Sequence, residues 1–244
     1  MQRRAPAALA CRWWRVSSEA LTPRAAFFDL DRTLIRGSAN YPLAVAAFRG
    51  GHVPWRDLVR DTLNAISFHR HGSTDAGSHA LRDRILSAVA GTPQSEIIHL
   101  ADEIVPGIVR RLIPQAAALL AEHRAAGDHR IVVSASPIEL VDRIARALGL
   151  EGAVATTSEL EGGRYTGRLI GEFCYGRGKV IEIEKLAAER GYDLARCAAY
   201  SDSISDLPML ERVGTPVAVN PDHELRALAR QRGWRIVEVG RKRR

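Results

Sequence analysis

Short apolar runs that stop at polar clusters alternate along this chain with longer stretches of helical periodicity. Ala25 to Phe28 ends in Asp29, Ile131 to Val133 is wholly β-branched and runs into Ser134, and Ala198 to Tyr200 delivers Ser201 and Asp202. Runs this short and this continuously apolar predict buried parallel strands whose carboxyl ends open onto loops. Between the first two, the pattern is helical almost throughout, with breaks expected near Gly50 to Pro54, His71 to Gly77 and Gly91 to Pro93. Ala44, Val45 and Phe48, then Leu58, Val59, Leu63 and Ile66, then Leu81, Ile85, Leu86 and Val89 recur at helical spacing and predict packed faces. A helix is expected from Pro106 and Gly107 through Ala126, and an amphipathic one from Ile138 to Leu148. Gly162 to Gly171 predicts a β-hairpin pair beside the sheet, with Gly167 at a turn or bulge. Strands alternating with helices predict an α/β protein: a doubly wound parallel-sheet core with an inserted helical cap domain.

The polar clusters at the strand ends carry the chemistry. FFDLDRTLI, Phe27 to Ile35, sets two carboxylates two positions apart and places Thr33 two positions beyond them. On extended backbone Asp29 and Asp31 face one cavity, with a carbonyl also turned inward, an oxygen-rich arrangement that suits Mg2+. A polar cap at the strand end is the plainer alternative. Ser134 and Ser136 suit phosphate binding or simple helix capping. Lys179, just inside a predicted helix start in YGRGKVIEIEKLAAERG, either reaches a phosphoryl oxygen or is a solvated surface lysine. Asp202 and Asp206 add two carboxylates at another strand's end. A phosphate monoester dianion repels a carboxylate nucleophile, so its displacement needs a shared cation and donors for the equatorial oxygens.

In this order, strand then Asp-x-Asp-x-Thr, strand then Ser, helix with Lys, and strand then Asp-x-x-x-Asp resemble the haloacid-dehalogenase-like (HAD) phosphatase superfamily. FFDLDRTLI, IVVSASP, GGRYTGRLIGEFCYGRGK and YSDSISDLPML most resemble its phosphoserine-phosphatase branch, subfamily IB, over nearly everything from Ala25 to Val239. The resemblance implies a Rossmann-like core and assigns roles. Asp29 takes the phosphoryl group, and Asp31 acts first as general acid and then as base. Ser134, Ala135 and Lys179 hold the phosphoryl oxygens. Mg2+ sits on the Asp29 carboxylate, the Asp31 carbonyl and Asp202. Thr33, Ser205 and Asp206 stand behind these groups, Asp206 steadying Lys179 or a metal-bound water. Residues 25–36 and 106–239 then form the core, 37–105 the helical cap, 1–24 a disordered basic extension and 240–244 a basic tail.

Departures from the branch bear on the substrate. Ala135 and Ser136 stand where phosphoserine enzymes carry glycines, and Ser205 replaces an asparagine. Those enzymes also place an acidic residue after the second aspartate to face the substrate ammonium, whereas no carboxylate occurs here between Asp31 and Asp57. Arg36 and Arg49 lie in that segment instead, and Arg36 is read as a substrate-loop residue that disfavours phosphoserine. The expectation is an Mg2+-dependent phosphomonoesterase for another small phosphorylated metabolite. A phosphatase of a lipid-derived or glycerol-type phosphate near a membrane, or a regulatory member of the fold without turnover, is the alternative.

Charge narrows the partners. The net charge is +7 and the pI about 9.8, yet residues 1–24 hold +4 and Arg241 to Arg244 another +4, which leaves the body near −1. No basic groove for nucleic acid is expected. No apolar stretch is long enough for stable membrane insertion, and Cys11, Cys174 and Cys197 fit neither a zinc spacing nor a disulfide framework, so a cytoplasmic protein is expected. His52, His69, His71, His79 and His99 lack metal-ligand spacing.

Overall fold

The structure, a computed structural model, describes residues 23–49 and 75–238. The expectations for residues 1–22 and 239–244, for the Leu58 to Ile66 stripe, and for His52, His69 and His71 lie outside the described residues. Seven strands form one sheet in the order β4-β3-β2-β1-β5-β6-β7. These are β1 (Ala25–Asp29), β2 (His129–Pro137), β3 (Gly152–Glu161), β4 (Arg164–Ile170), β5 (Ala198–Ser201), β6 (Thr215–Val219) and β7 (Arg235–Val237). All neighbours are parallel except β3 and β4.

The chain leaves β1 to build β2 and β3 on one side, then returns to lay β5 on the other. The crevice above the carboxyl ends of β1 and β5 is therefore the switch point at which open α/β sheets bind ligands. Strand β1 has both faces covered and every residue buried, which explains its uninterrupted apolar sequence. Phe28 packs on one face with Val132, Leu140, Ile144 and Tyr200, and Phe27 on the other with Ile131, Ile183 and Met209.

Helices α1 (Asn40–Arg49), α2 (Asp75–Val89) and α3 (Gln94–Val109) lie between β1 and β2, followed by α4 (Pro114–Ala126). The expected break at Gly91 to Pro93 is present, but Gly77 lies inside α2. The helix start expected at Pro106 is not there. Pro106 lies within α3, and the interruption comes at 110–113, where Pro114 takes the first turn of α4, a position that needs no N–H. Helix α3 serves two clusters: Ile97 and Leu100 pack with Ala47 and Tyr165, whereas Ala101, Val105 and Ile108 join the main core. The β-hairpin is larger than expected, spanning β3 and β4 with its turn at Gly162 and Gly163, and both strands belong to the sheet. Helices α5 (Ile138–Ala147), α6 (Arg177–Arg190), α7 (Leu207–Arg212) and α8 (His223–Gln231) complete the layers.

Candidate active site

A cavity of about 360 Å³ opens above the switch point, lined by Asp29, Asp31, Ser134, Ala135, Lys179, Asp202, Ser205 and Asp206 among others. These residues lie far apart in sequence, and the parallel strand ends bring them together.

Asp29 ends β1. The chain then folds back in a tight loop in which the N–H groups of Leu34 and Ile35 donate to the Leu30 carbonyl at 3.0 and 3.1 Å. Arg32 takes a left-handed conformation, φ +62°, which costs a residue with a Cβ about 1 kcal/mol and needs surrounding support. Its N–H donates to the Gly37 carbonyl at 3.1 Å, and Gly37 itself adopts φ +78°. The loop thereby returns onto Asp31, whose carboxylate accepts from Ser38 Oγ at 2.9 Å and from the Ala39 N–H at 2.8 Å. Burial pushes the Asp31 pKa above the ordinary carboxylate range, opposed by those two hydrogen bonds.

Strand β2 loses register with β3 between Ser134 and Pro137, so Ala135 and Ser136 bulge from the ladder. The Ser134 hydroxyl accepts from the Ser136 N–H at 3.2 Å, and the Ala135 carbonyl is pinned by Thr156 Oγ1 at 2.8 Å. Simple helix capping does not describe these serines: Pro137 is the N-cap of α5, with no side-chain cap.

Lys179 is no surface lysine. It is 3% exposed, and its Nζ donates to Asp29 Oδ1 and Asp206 Oδ2, both at 2.7 Å. Burial favours the neutral amine, but Asp206 and Asp29 more than reverse this and hold it protonated above the usual lysine range. Asp206 Oδ2 also accepts from Ser201 Oγ at 2.7 Å. Gly178 makes the placement possible, because a Cβ there would lie 1.8 Å from the Phe173 carbonyl oxygen.

Asp202 follows β5 and meets Arg32 Nη2 at 2.6 Å. Burial and repulsion from Asp29 raise its pKa despite Arg32, and burial also raises that of Asp29 against the pull of Lys179. Four aspartates, 29, 31, 202 and 206, thus surround two cations, Lys179 and Arg32, an excess of two negative charges. Carboxylate and carbonyl oxygens in such surplus fit a hard divalent cation. No cluster of three or more His, Cys, Asp or Glu side chains placed to hold a metal ion is present among the described residues.

Some expectations are corrected. Arg36 is exposed and does not line the cavity; its N–H donates to the Arg111 carbonyl at 2.9 Å. Ser205 lines the cavity itself instead of standing behind its groups, and its hydroxyl donates to Ser203 Oγ at 3.0 Å. Thr33 is 1% exposed and its Oγ1 has no partner among the described residues.

Sequence reasoning passed over Arg32, Asn40, Tyr175, Asp222, His223 and Glu224, which also line the cavity. The signal for the last three was NPDHEL, a loop with an N-cap aspartate after an apolar strand. Asp222 caps α8 through Leu225 and binds the Ile204 N–H, both at 2.8 Å, which ties α8 to the Asp202 loop.

This fold and this arrangement belong to a known class. Residues 26–211 match the haloacid dehalogenase-like hydrolase family, and the chain belongs to it. It is 39% identical over 214 residues to the Mycobacterium tuberculosis protein named phosphoserine phosphatase SerB1, covering 87% of this chain and 70% of that one. It is 30% identical over 217 residues to a histidinol-phosphatase of Neisseria meningitidis, covering 87% and 97%. Among solved structures, a protein of unknown function from Bordetella pertussis superposes with a TM-score of 0.77 at 31% identity, covering 90% of this chain and all of that one. The chain is a phosphomonoesterase of the phosphoserine-phosphatase-like branch.

Proposed function

We propose that this phosphatase is Mg2+-dependent and hydrolyses a small phosphorylated metabolite through an aspartyl-phosphate intermediate. The observation that carries the reading is the Lys179 bridge. Asp206 holds a protonated ammonium on Asp29 Oδ1, which orients Asp29 and leaves its other oxygen to attack. The Asp29 oxygen bonds to phosphorus as the ester P–O bond breaks, and Asp31 gives its proton to the departing alkoxide. Ionised Asp31 then takes a proton from water, whose oxygen attacks phosphorus, releases inorganic phosphate and restores the Asp29 carboxylate. A raised Asp31 pKa suits a group that serves once protonated and once ionised. Ser134, the Ala135 N–H and Lys179 receive the phosphoryl oxygens. The Asp29 and Asp202 carboxylates and the Asp31 carbonyl would hold Mg2+, which would supply neutralising charge between dianion and carboxylate.

The substrate is a small polar monoester, in keeping with the volume and polar lining of the cavity. Phosphoserine is disfavoured by the absence of a carboxylate between Asp31 and Asp57 to face its ammonium, although Arg36, which lies outside the cavity, adds nothing to that. Arg32 and Glu224 present both signs of charge instead. No described helix is long and apolar enough to cross a membrane. Cys174 and Cys197, both unpaired, suit a reducing cytoplasm.

The test is phosphate release from phosphoserine, histidinol phosphate, glycerol phosphate and sugar phosphates, with Mg2+ and with chelator. Mg2+-dependent release that selects one ester is expected. Release that persists unchanged in chelator would overturn the metal assignment.

A further inference from the structure

The two chain segments that join the main core to the helices between β1 and β2 meet beside Asp31. The outgoing segment, Leu34 to Ala39, lies against the returning one, Arg111 to Ile113. The Arg36 N–H donates to the Arg111 carbonyl at 2.9 Å, the Ile113 N–H donates to the Leu34 carbonyl at 2.8 Å, and Ile35 bridges Leu112. Arg111 adds a side-chain tie to this ladder: its Nη2 donates to the Ser38 carbonyl at 3.1 Å. Ser38 and Ala39 are in turn the two residues that grip the Asp31 carboxylate, one oxygen each.

Without that tie, Ser38 and Ala39 would sit on a turn whose neighbour Gly37 has the freest backbone of any residue type. A carboxyl group delivering a proton to a leaving oxygen needs its direction fixed within a few tenths of an ångström. The guanidinium is also one of the charges that oppose the upward push of burial on Asp31.

We propose that Arg111 is a positioning residue for Asp31: by holding the Ser38 carbonyl across the paired connections, it fixes the turn that aims the Asp31 carboxyl at the leaving group. Arg111 does not line the cavity and acts from behind the turn. The inference rests on the proposed role of Asp31 as general acid.

The experiment compares kcat/KM for two esters in the Mg2+-loaded enzyme. The p-nitrophenolate of p-nitrophenyl phosphate departs without a proton, whereas the alkoxide of glycerol phosphate needs one. R111M should lower kcat/KM for glycerol phosphate about 10-fold more than for p-nitrophenyl phosphate, and D31N should show the same selectivity, about 100-fold or greater. R111K keeps the charge and much of the stem without the planar fork, and should fall between wild type and R111M; it also serves if R111M does not fold. Equal losses on both esters in the folded Arg111 variants, with D31N selective, would reduce Arg111 to a brace of the hinge and overturn the proposal. An unselective D31N would instead overturn the general-acid role of Asp31.

Discussion

The same sheet carries polar networks at both ends, and they are built on opposite terms. Near its amino end the charges balance. Arg24 pairs with Asp128, His123 spans Asp128 and Tyr200 at 2.7 Å each, and Arg130 grips Glu151 through Nε and Nη2 while also donating to the Gly149 carbonyl at 2.6 Å. At the carboxyl end, carboxylates outnumber cations, Thr33 Oγ1 and Ser136 Oγ lack partners among the described residues, and Arg32 holds a left-handed backbone. Buried groups left underpaired cost free energy. The fold accepts that cost where the proposed ester and cation would complete the set. The network that completes itself serves stability.

If this division holds, substitutions at the two ends should separate turnover from stability. Asp29→Asn should lower kcat by at least about 10⁴-fold, on the scale of losing a covalent nucleophile, while a thermal melt shows the fold intact. Activity retained in that variant would break the comparison at its centre. Lys179→Met should remove at least about 3 kcal/mol of transition-state stabilisation, about 150-fold in kcat/KM, by analogy with other oxyanion donors. It should also lower the denaturation midpoint, since Asp29 and Asp206 both lose their partner. Arg130→Ala should do the reverse, costing about 2 kcal/mol in a urea titration and leaving kcat unchanged, because Arg130 is buried but Glu151 keeps some contact with water.

The smallest effect is a pH dependence at the balanced end. Partial burial pushes the Glu151 pKa up, but its hydrogen bonds and attraction to Arg130 outweigh this and hold it below its ordinary 4.5. A carboxylate depressed in the folded state contributes stability above its unfolded pKa and loses it as pH falls through the folded value. Wild type should therefore exceed Glu151→Gln in denaturation midpoint at pH 7, and the two should converge as the pH falls through the depressed Glu151 pKa, below its ordinary 4.5. A constant gap at all pH values would show that the pair acts through shape rather than charge.

How much of this was legible differs by level. The strand ends were legible because β1, β2 and β5 are buried on both faces and written as continuous apolar runs, and Asp29, Ser134 and Asp202 follow directly. The place of Lys179 at a helix start left a solvated surface lysine open, and only the order of the motifs together pointed it at the site. What escaped depends on contacts between segments remote in sequence. Arg36 and Arg32 are equally basic on paper, and only the loop's return onto Asp31 turns Arg32 inward and leaves Arg36 outside. Asp222 lies 20 residues past Asp202 and reaches the site only because β6 pairs beside β5. Pro106 reads as a helix break by propensity, yet packing of Val105 and Ile108 into the core carries α3 through it.

Helix α3 has one end packed against Ala47 and Tyr165 and the other sunk among the residues under β1 and β2. Gln94 and Asp102 also fasten it to α5 through Glu139 and Arg143. Helix α3 cannot swing as a free door, since any large rotation would pull Ala101 and Val105 out of the centre of the molecule; beside the cavity it stands as a fixed jamb.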